Sequence, residues 1–311
     1  MTQQPLTFDY INRIAHDDKL SRELLEQILW GDDPVCPFCG SLSNHLMQKR
    51  PWAKVSARAG ARRCEDCGKQ FTVTVGTIFH GSHLPIGKWL QIFVLLCSSK
   101  KGMSAHQIHR LLGITYKSAW FAVHRLRFAL QDVISFSRLK GAVEVDEAFL
   151  GGVRKGGLGR IPGPKQAIIA LVQRGGGVHT VPIEDLTAKT LQKIIKDNVD
   201  ADSIILTDTA GAYNGIGWHF KGGHKSVNHS LGEFARGMVS TNTVEGFFSL
   251  LKRGVIGVYH HISKEHLALY LAEFSFRYNS RKMDDGGRTI LALKGVEGKR
   301  LLYKEHVGVR K

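Results

Sequence analysis

Two Cys-x-x-Cys knuckles are the most specific chemical feature of this sequence. Cys36-Pro37-Phe38-Cys39 and Cys64-Glu65-Asp66-Cys67 are each followed by a glycine, Gly40 and Gly68. Two intervening residues let both thiolates of a knuckle face one ion, and the glycine supports the tight turn that aims backbone N–H groups at sulfur. Four thiolates complete a closed tetrahedral Zn2+ site with no position left open, so the expected role is structural. Cys97 lies in an apolar run and reads as a small buried hydrophobe. Cysteines spaced for metal fit a reducing compartment, and the expected location is the cytoplasm.

The acids form the second set. Asp146 ends the expected strand Ala142-Val143-Glu144-Val145, and Asp208 ends the expected strand Ser203-Ile204-Ile205-Leu206-Thr207. Carboxylates at the ends of adjacent strands can converge on one divalent ion. Glu245 is the only acid between Glu233 and Glu265. On a helix, its seven-residue spacing to Lys252 is about two turns, placing acid and cation on one face. Taken singly, Asp208 also reads as a cap or turn residue, and Glu245 with Lys252 as a solvated pair. Jointly, oxygen donors of this kind suit Mg2+ or Mn2+ and two-metal phosphodiester chemistry, with no nucleophilic side chain required. Tyr259-His260-His261 offers an alternative nucleophile, but adjacent histidines on a helix or turn point in different directions.

Charge narrows the partner. The 311-residue chain carries a formal net charge of +16. From Pro34 to Gln131, fourteen Lys and Arg meet only Glu65 and Asp66. A surface so depleted of acids suits nucleic-acid phosphates, beside the plainer reading of a solvated basic surface. Within it, Ser104 can cap a helix that ends at Gly113, and Thr115 can cap a second running to about Gln131. Ile108, Leu111, Leu112, Ala119, Val123 and Leu126 form the expected inner face. Lys117, Ser118, His124, Arg125 and Arg127 are left for solvent or DNA. The pattern fits a helix-turn-helix, and also a helical hairpin with a basic face.

These groups need elements to position them. Residues 1–33 read as an N-terminal helical segment, 34–75 as the zinc ribbon, 84–132 as the helix-turn-helix module and 283–311 as a C-terminal tail. Between them, residues 140–282 change to short β-rich runs: Ala142–Val145, Ala167–Val172 and Val178–Ile183, then a helix at Ala188–Asn198 and a strand at Ser203–Thr207. That order implies a mixed α/β core. Gly151 to Pro164 reads as a basic loop, and Asn242–Arg281 as helical with a break near Gly254–Gly257. No run approaches the length of a membrane span.

At this level of detail the chain resembles the DDE transposases of bacterial insertion sequences that carry an N-terminal zinc ribbon, the ISXO-type group. The marks are the paired knuckles, Val145-Asp146-Glu147 with Gly151-Gly152, Leu206-Thr207-Asp208, and His224 to His229. Thr241 to Glu245, Lys252-Arg253, His260 to Lys264 and Tyr270 to Asn279 complete them. The resemblance implies an RNase H-like mixed sheet flanked by helices, with Asp146, Asp208 and Glu245 as metal-binding catalytic triad. It places Lys252, with Arg253 beside it, on DNA next to the scissile phosphate, and Asn242 near the acids. His224 and His229 are expected either to orient DNA or the triad, or to be structural. Ser240 and Phe248 depart from residues common in the group, His and Trp, without removing a metal ligand. The expected partners are terminal inverted repeats and target DNA, bound by at least a dimer associated with the nucleoid. A DNA-binding regulator derived from such an enzyme, or a structure-specific nuclease on the same core, are the alternatives.

Overall fold

The computed structural model describes residues 6–48, 58–134, 138–151, 166–228, 231, 233 and 235–303. The basic loop from Gly151 to Pro164 lies outside them beyond its first residue, as do Gly152 and His229. The chain divides into two compact units: Met1–Val133 with Met283–Lys311, and Ile134–Lys282.

In the first unit, the N-terminal segment forms two helices, α1 (Phe8–Ile14) and α2 (Asp18–Leu29). Asp17 starts the second by accepting from the Lys19 and Leu20 N–H groups. The ribbon is a three-stranded sheet, β1 (Asn44–Leu46), β2 (Arg62–Cys64) and β3 (Gln70–Phe71), antiparallel throughout. Helix α3 (Ile86–Ser98) is buried on most sides, Cys97 included. The pair α4 (Ala105–Leu112) and α5 (Tyr116–Leu130) has the expected caps. Ser104 accepts from Gln107 N–H, Gly113 turns left-handed at φ 63°, and Thr115 accepts from Ser118 N–H. Ile108, Leu112, Ala119, Val123 and Leu126 are buried; Leu111, expected beside them, is 57% exposed. Residues 283–303 contribute helix α9 (Asp285–Lys294) to this unit.

The second unit is built on five strands in the order β6-β5-β4-β7-β8: β4 (Ala142–Leu150), β5 (Gln166–Gln173), β6 (Val178–Ile183), β7 (Ile204–Asp208) and β8 (His224–Val227). The first three are antiparallel neighbours, whereas β7 joins β4, and β8 joins β7, in parallel. Helix α6 (Ala188–Asn198) makes the crossover from β6 to β7 that a parallel partner requires.

Strand parity divides the core. Val143 and Val145 point with Ile205 to the α6 side, where Leu191, Ile195 and Tyr213 pack. Ala148 and Leu150 point to the other side, under α7 (Asn242–Gly254) and α8 (Leu267–Asn279), against Val244, Phe247, Leu251, Leu271 and Phe274. A small hairpin, β9 (Ala235–Arg236) with β10 (Val239–Ser240), leads into α7, and Val239 packs on Leu206 and Val227. The expected helix break is a single π-type turn, Val255–Tyr259, ended by His260 at φ 60°. This order and these directions define an RNase H-like mixed α/β fold.

Candidate active site and zinc centre

The cysteine quartet closes as its spacing requires. All four sulfurs lie within 4.8 Å of one another, with Cys36 Sγ 3.7 Å from Cys67 Sγ and Cys39 Sγ 3.6 Å from Cys64 Sγ. A tetrahedral zinc with thiolates at 2.3 Å has sulfur–sulfur edges of about 3.8 Å, whereas a disulfide needs about 2.05 Å. The donor set therefore fits Zn2+. Gly40 and Gly68 adopt φ 76° and 68°, the left-handed turn of each knuckle. The Cys67 backbone N–H aimed at Cys64 is the largest influence holding that thiol down, at about 7. Phe71, Trp30 and Val75 pack around the site.

Asp146 lies on the α7 side of β4, with the parity of Ala148. The β4–β7 register pairs Val143 with Ile205 and Glu144 with Leu206. Extended by two residues along both strands, it sets Asp208 level with Asp146 on the same face, one strand away. Glu245 comes from the first turn of α7, the helix over that face, and accepts a 2.8 Å hydrogen bond from the Thr241 hydroxyl. Burial is the largest cause pushing the Asp146 carboxyl up, to about 7. The Glu147 N–H opposes it, and the negative charges of Glu147, Asp208 and Glu245 add to it. The three sequence-predicted acids are thus near enough to repel. Among the described residues only the cysteines converge into a closed ligand cage. The three acids do not form such a cage here: Asp146 is half-buried and Glu245 exposed.

Glu147 is turned to the opposite face, where it accepts a hydrogen bond from the buried Tyr213 hydroxyl. Burial first, then the charge of Asp208, raises its carboxyl, against the lowering effect of Tyr213. Asp208 itself accepts from the Ala210 N–H at 3.0 Å. His224 Nε2 meets Thr207 Oγ1 at 2.8 Å, and burial lowers its pKa. Tyr259 donates to the buried Glu273, which pairs with Arg277; its hydroxyl is engaged in the core. Asn242, Lys252 and Arg253 are exposed on α7, the two cations in its last turn.

Three expectations for α5 need correction. Arg125 is 5% exposed and Arg127 2%, so neither faces a DNA surface, and His124 is buried with them. Arg125 stacks on Phe121 and donates to the carbonyls of Leu301 and His80, backbone groups that apolar neighbours would leave unsatisfied. A count of basic residues cannot tell such arginines from surface ones. Lys117 remains exposed at the start of α5, with Ser118 half-buried beside it.

Sequence reasoning passed over Glu144, the acid with the most hydrogen-bond partners in this region. It is fully buried in β4, two residues before Asp146 and on the same face. It pairs with Arg174 and accepts from α7. The available signal was its place in the alternation: an acid two residues from Asp146 must share its face.

Comparison with known proteins agrees with this architecture. The ISXO2-like transposase domain model matches residues 138–279, and the transposase zinc-ribbon domain model matches residues 16–70. A Halobacterium salinarum protein described as an uncharacterized protein in transposable element ISH50 is 26% identical over 283 residues, covering 84% of this chain and 90% of that one. An uncharacterized transposase-like protein of Haemophilus influenzae is 33% identical over 106 residues, covering 34% of this chain and 84% of the relative. A zinc-ribbon unit joined to an RNase H-like sheet with acids at its strand ends is the architecture of a DDE-type transposase. The chain belongs to the ISXO2-like transposase family.

Proposed function

We propose that this chain is the transposase of an insertion sequence, which binds the terminal inverted repeats of its element, cuts DNA at their 3′ ends and joins the freed ends to target DNA. The observation that carries the reading is the placement of Asp146 and Asp208 on one face of adjacent strands, under the helix that carries Glu245, where burial first, and then the charges of the neighbouring acids, raise the Asp146 carboxyl to about 7. Like charges brought together in a partly buried site fit a site that binds cations, and their oxygen donors suit Mg2+ or Mn2+. Such ions, when bound, activate the attacking oxygen and stabilise the leaving one. Asp146 and Asp208 would hold the metal from the sheet, and Glu245 from α7. Lys252 and Arg253 meet the DNA backbone further along the same helix, about 10 Å from Glu245.

The ribbon, residues 34–75, and the α4–α5 module, residues 84–132, form the end-binding part. Lys117 and Ser118 sit at the α5 N-terminus that enters the major groove, with exposed Arg110 and Tyr116 nearby. Residues 140–282 form the catalytic part. Pairing two element ends calls for at least a dimer on DNA, in the cytoplasm at the nucleoid. No helix among the described residues is long and apolar enough to cross a membrane.

The test is strand cleavage and transfer on DNA carrying the element's own ends, with Mg2+. Alanine at Asp146, Asp208 or Glu245 is expected to abolish both, whereas Glu147→Ala retains them within about tenfold. Binding without metal-dependent cutting would identify a regulator. Cutting without joining would identify a nuclease.

A further inference from the structure

We infer that Glu144 is a positioning residue: a buried carboxylate that fastens the first turn of α7 to β4 and so fixes where Glu245 stands relative to Asp146. The inference rests on the metal-site reading proposed above. Glu144 is 0% exposed, and its two oxygens receive four hydrogen bonds. Arg174 Nε donates at 2.6 Å, Thr243 N–H at 2.7 Å, Thr243 Oγ1 at 2.9 Å and Val244 N–H at 3.0 Å. An ionised carboxylate offers about four acceptor positions, so this one is saturated.

Three of those donors belong to the helix that carries Glu245, and Glu245 directly follows Val244. The route from Asp146 to Glu245 is therefore two residues of strand, one carboxylate and one residue of helix. Arg174 completes the clamp from the end of β5. Beyond Glu144 it reaches the Met238 carbonyl, and the Ser240 carbonyl and hydroxyl at 3.0 and 2.8 Å, which holds the β9–β10 hairpin just ahead of α7. Stability alone does not require this arrangement. Well-packed apolar residues often replace a buried ion pair without loss, because desolvation offsets the attraction. What the carboxylate supplies, and an apolar side chain cannot, is a directional fastening for two helix N–H groups beside the acids.

The test uses the full zinc-loaded chain and two readouts. Amide exchange at Thr243 and Val244 is measured in the unsubstituted protein and in Glu144→Gln, whose amide offers fewer acceptor positions. Exchange there is expected to quicken about tenfold or more while β5 keeps its protection. Mn2+ binding, followed by the paramagnetic resonance of the free ion, is compared for Glu144→Gln, Glu245→Gln and the double variant. Each single change is expected to weaken binding by about tenfold or more. The double variant should bind no more weakly than Glu245→Gln, since Glu144 acts through Glu245. Should Glu144→Gln not fold, Arg174→Lys carries the same comparison with smaller changes. Unchanged exchange at α7 overturns the clamp, and independent, multiplying losses in the double variant overturn its action through Glu245. Failure of the unsubstituted chain to bind Mn2+ overturns the proposed metal site instead, with the clamp still read by exchange.

Discussion

Asp146 shows how a carboxylate placed for a proposed metal site weakens the fold that carries it. In an unfolded chain an aspartate titrates near 3.8, whereas here burial and three neighbouring acids bring it to about 7. Between those values the folded state holds a proton that the unfolded state has released. Stability therefore falls as pH rises through this window, and the full penalty is present above it. The two values bound that penalty at about 4 kcal/mol, and partial solvation reduces the expected effect to about 1–2 kcal/mol. Asp146→Asn removes the charge while nearly keeping the shape. In Mg2+-free buffer the variant should unfold at a higher temperature than the unsubstituted chain, by a wider margin at pH 8 than at pH 5. Added Mg2+ should narrow the margin by stabilising only the unsubstituted site. Calorimetry across that pH range decides it; an Asn variant less stable at pH 8 would mean that the neighbouring acids do not burden Asp146.

The elements that place these residues were legible in the sequence where the signal was local. The knuckles, the caps at Ser104 and Thr115, the stop at Gly113 and the span of α6 each follow from a few adjacent side chains. Less of β8, the β9–β10 hairpin and α9 could be read. The first two are strands of two to four residues, too short for a periodic pattern, and the first turn of α9 holds Gly286 and Gly287, poor helix formers. The arginines of α5 misled for a related reason: nine of its fifteen residues are buried, so it has no single wet face for periodicity to reveal. Close approach between elements is equally invisible in sequence. At Gly87, in the first turn of α3, an added Cβ would stand 2.1 Å from the Ala15 carbonyl oxygen that ends α1. Neither atom is the end of a flexible side chain, so the backbones must part. Gly87→Ala is expected to destabilise the first unit by about 1–3 kcal/mol, overriding alanine's better helix propensity. A thermal transition that rises in this variant would show that the α1–α3 contact is not so close.

For the whole molecule, charge and metal act on different parts. Removing zinc, for instance by Cys64→Ser, should bring amide exchange in residues 34–48 and 58–75 to unfolded rates. The ribbon's own core is little more than Phe71 and the cysteines. The sheet from β4 to β8, with its own core, should keep its protection. The charge of +16 is tested through salt. Each phosphate neutralised releases counterions, so the logarithm of the DNA-binding constant falls with the logarithm of salt concentration by about 0.9 per contact. Lys117→Ala and Lys252→Ala each remove an exposed cation from a proposed contact, and each should lower that slope by about 1 with little effect on stability. Arg125→Ala takes a cation from the interior, where it stacks on Phe121 and satisfies the Leu301 and His80 carbonyls. It should instead cost about 1–3 kcal/mol of stability and leave the slope unchanged in the fraction that remains folded. The same formal loss of one positive charge then gives two distinct results, set by where the charge resides. A slope reduced equally by Arg125→Ala and Lys117→Ala would mean that α5 turns its buried side outward on DNA, against the packing seen here.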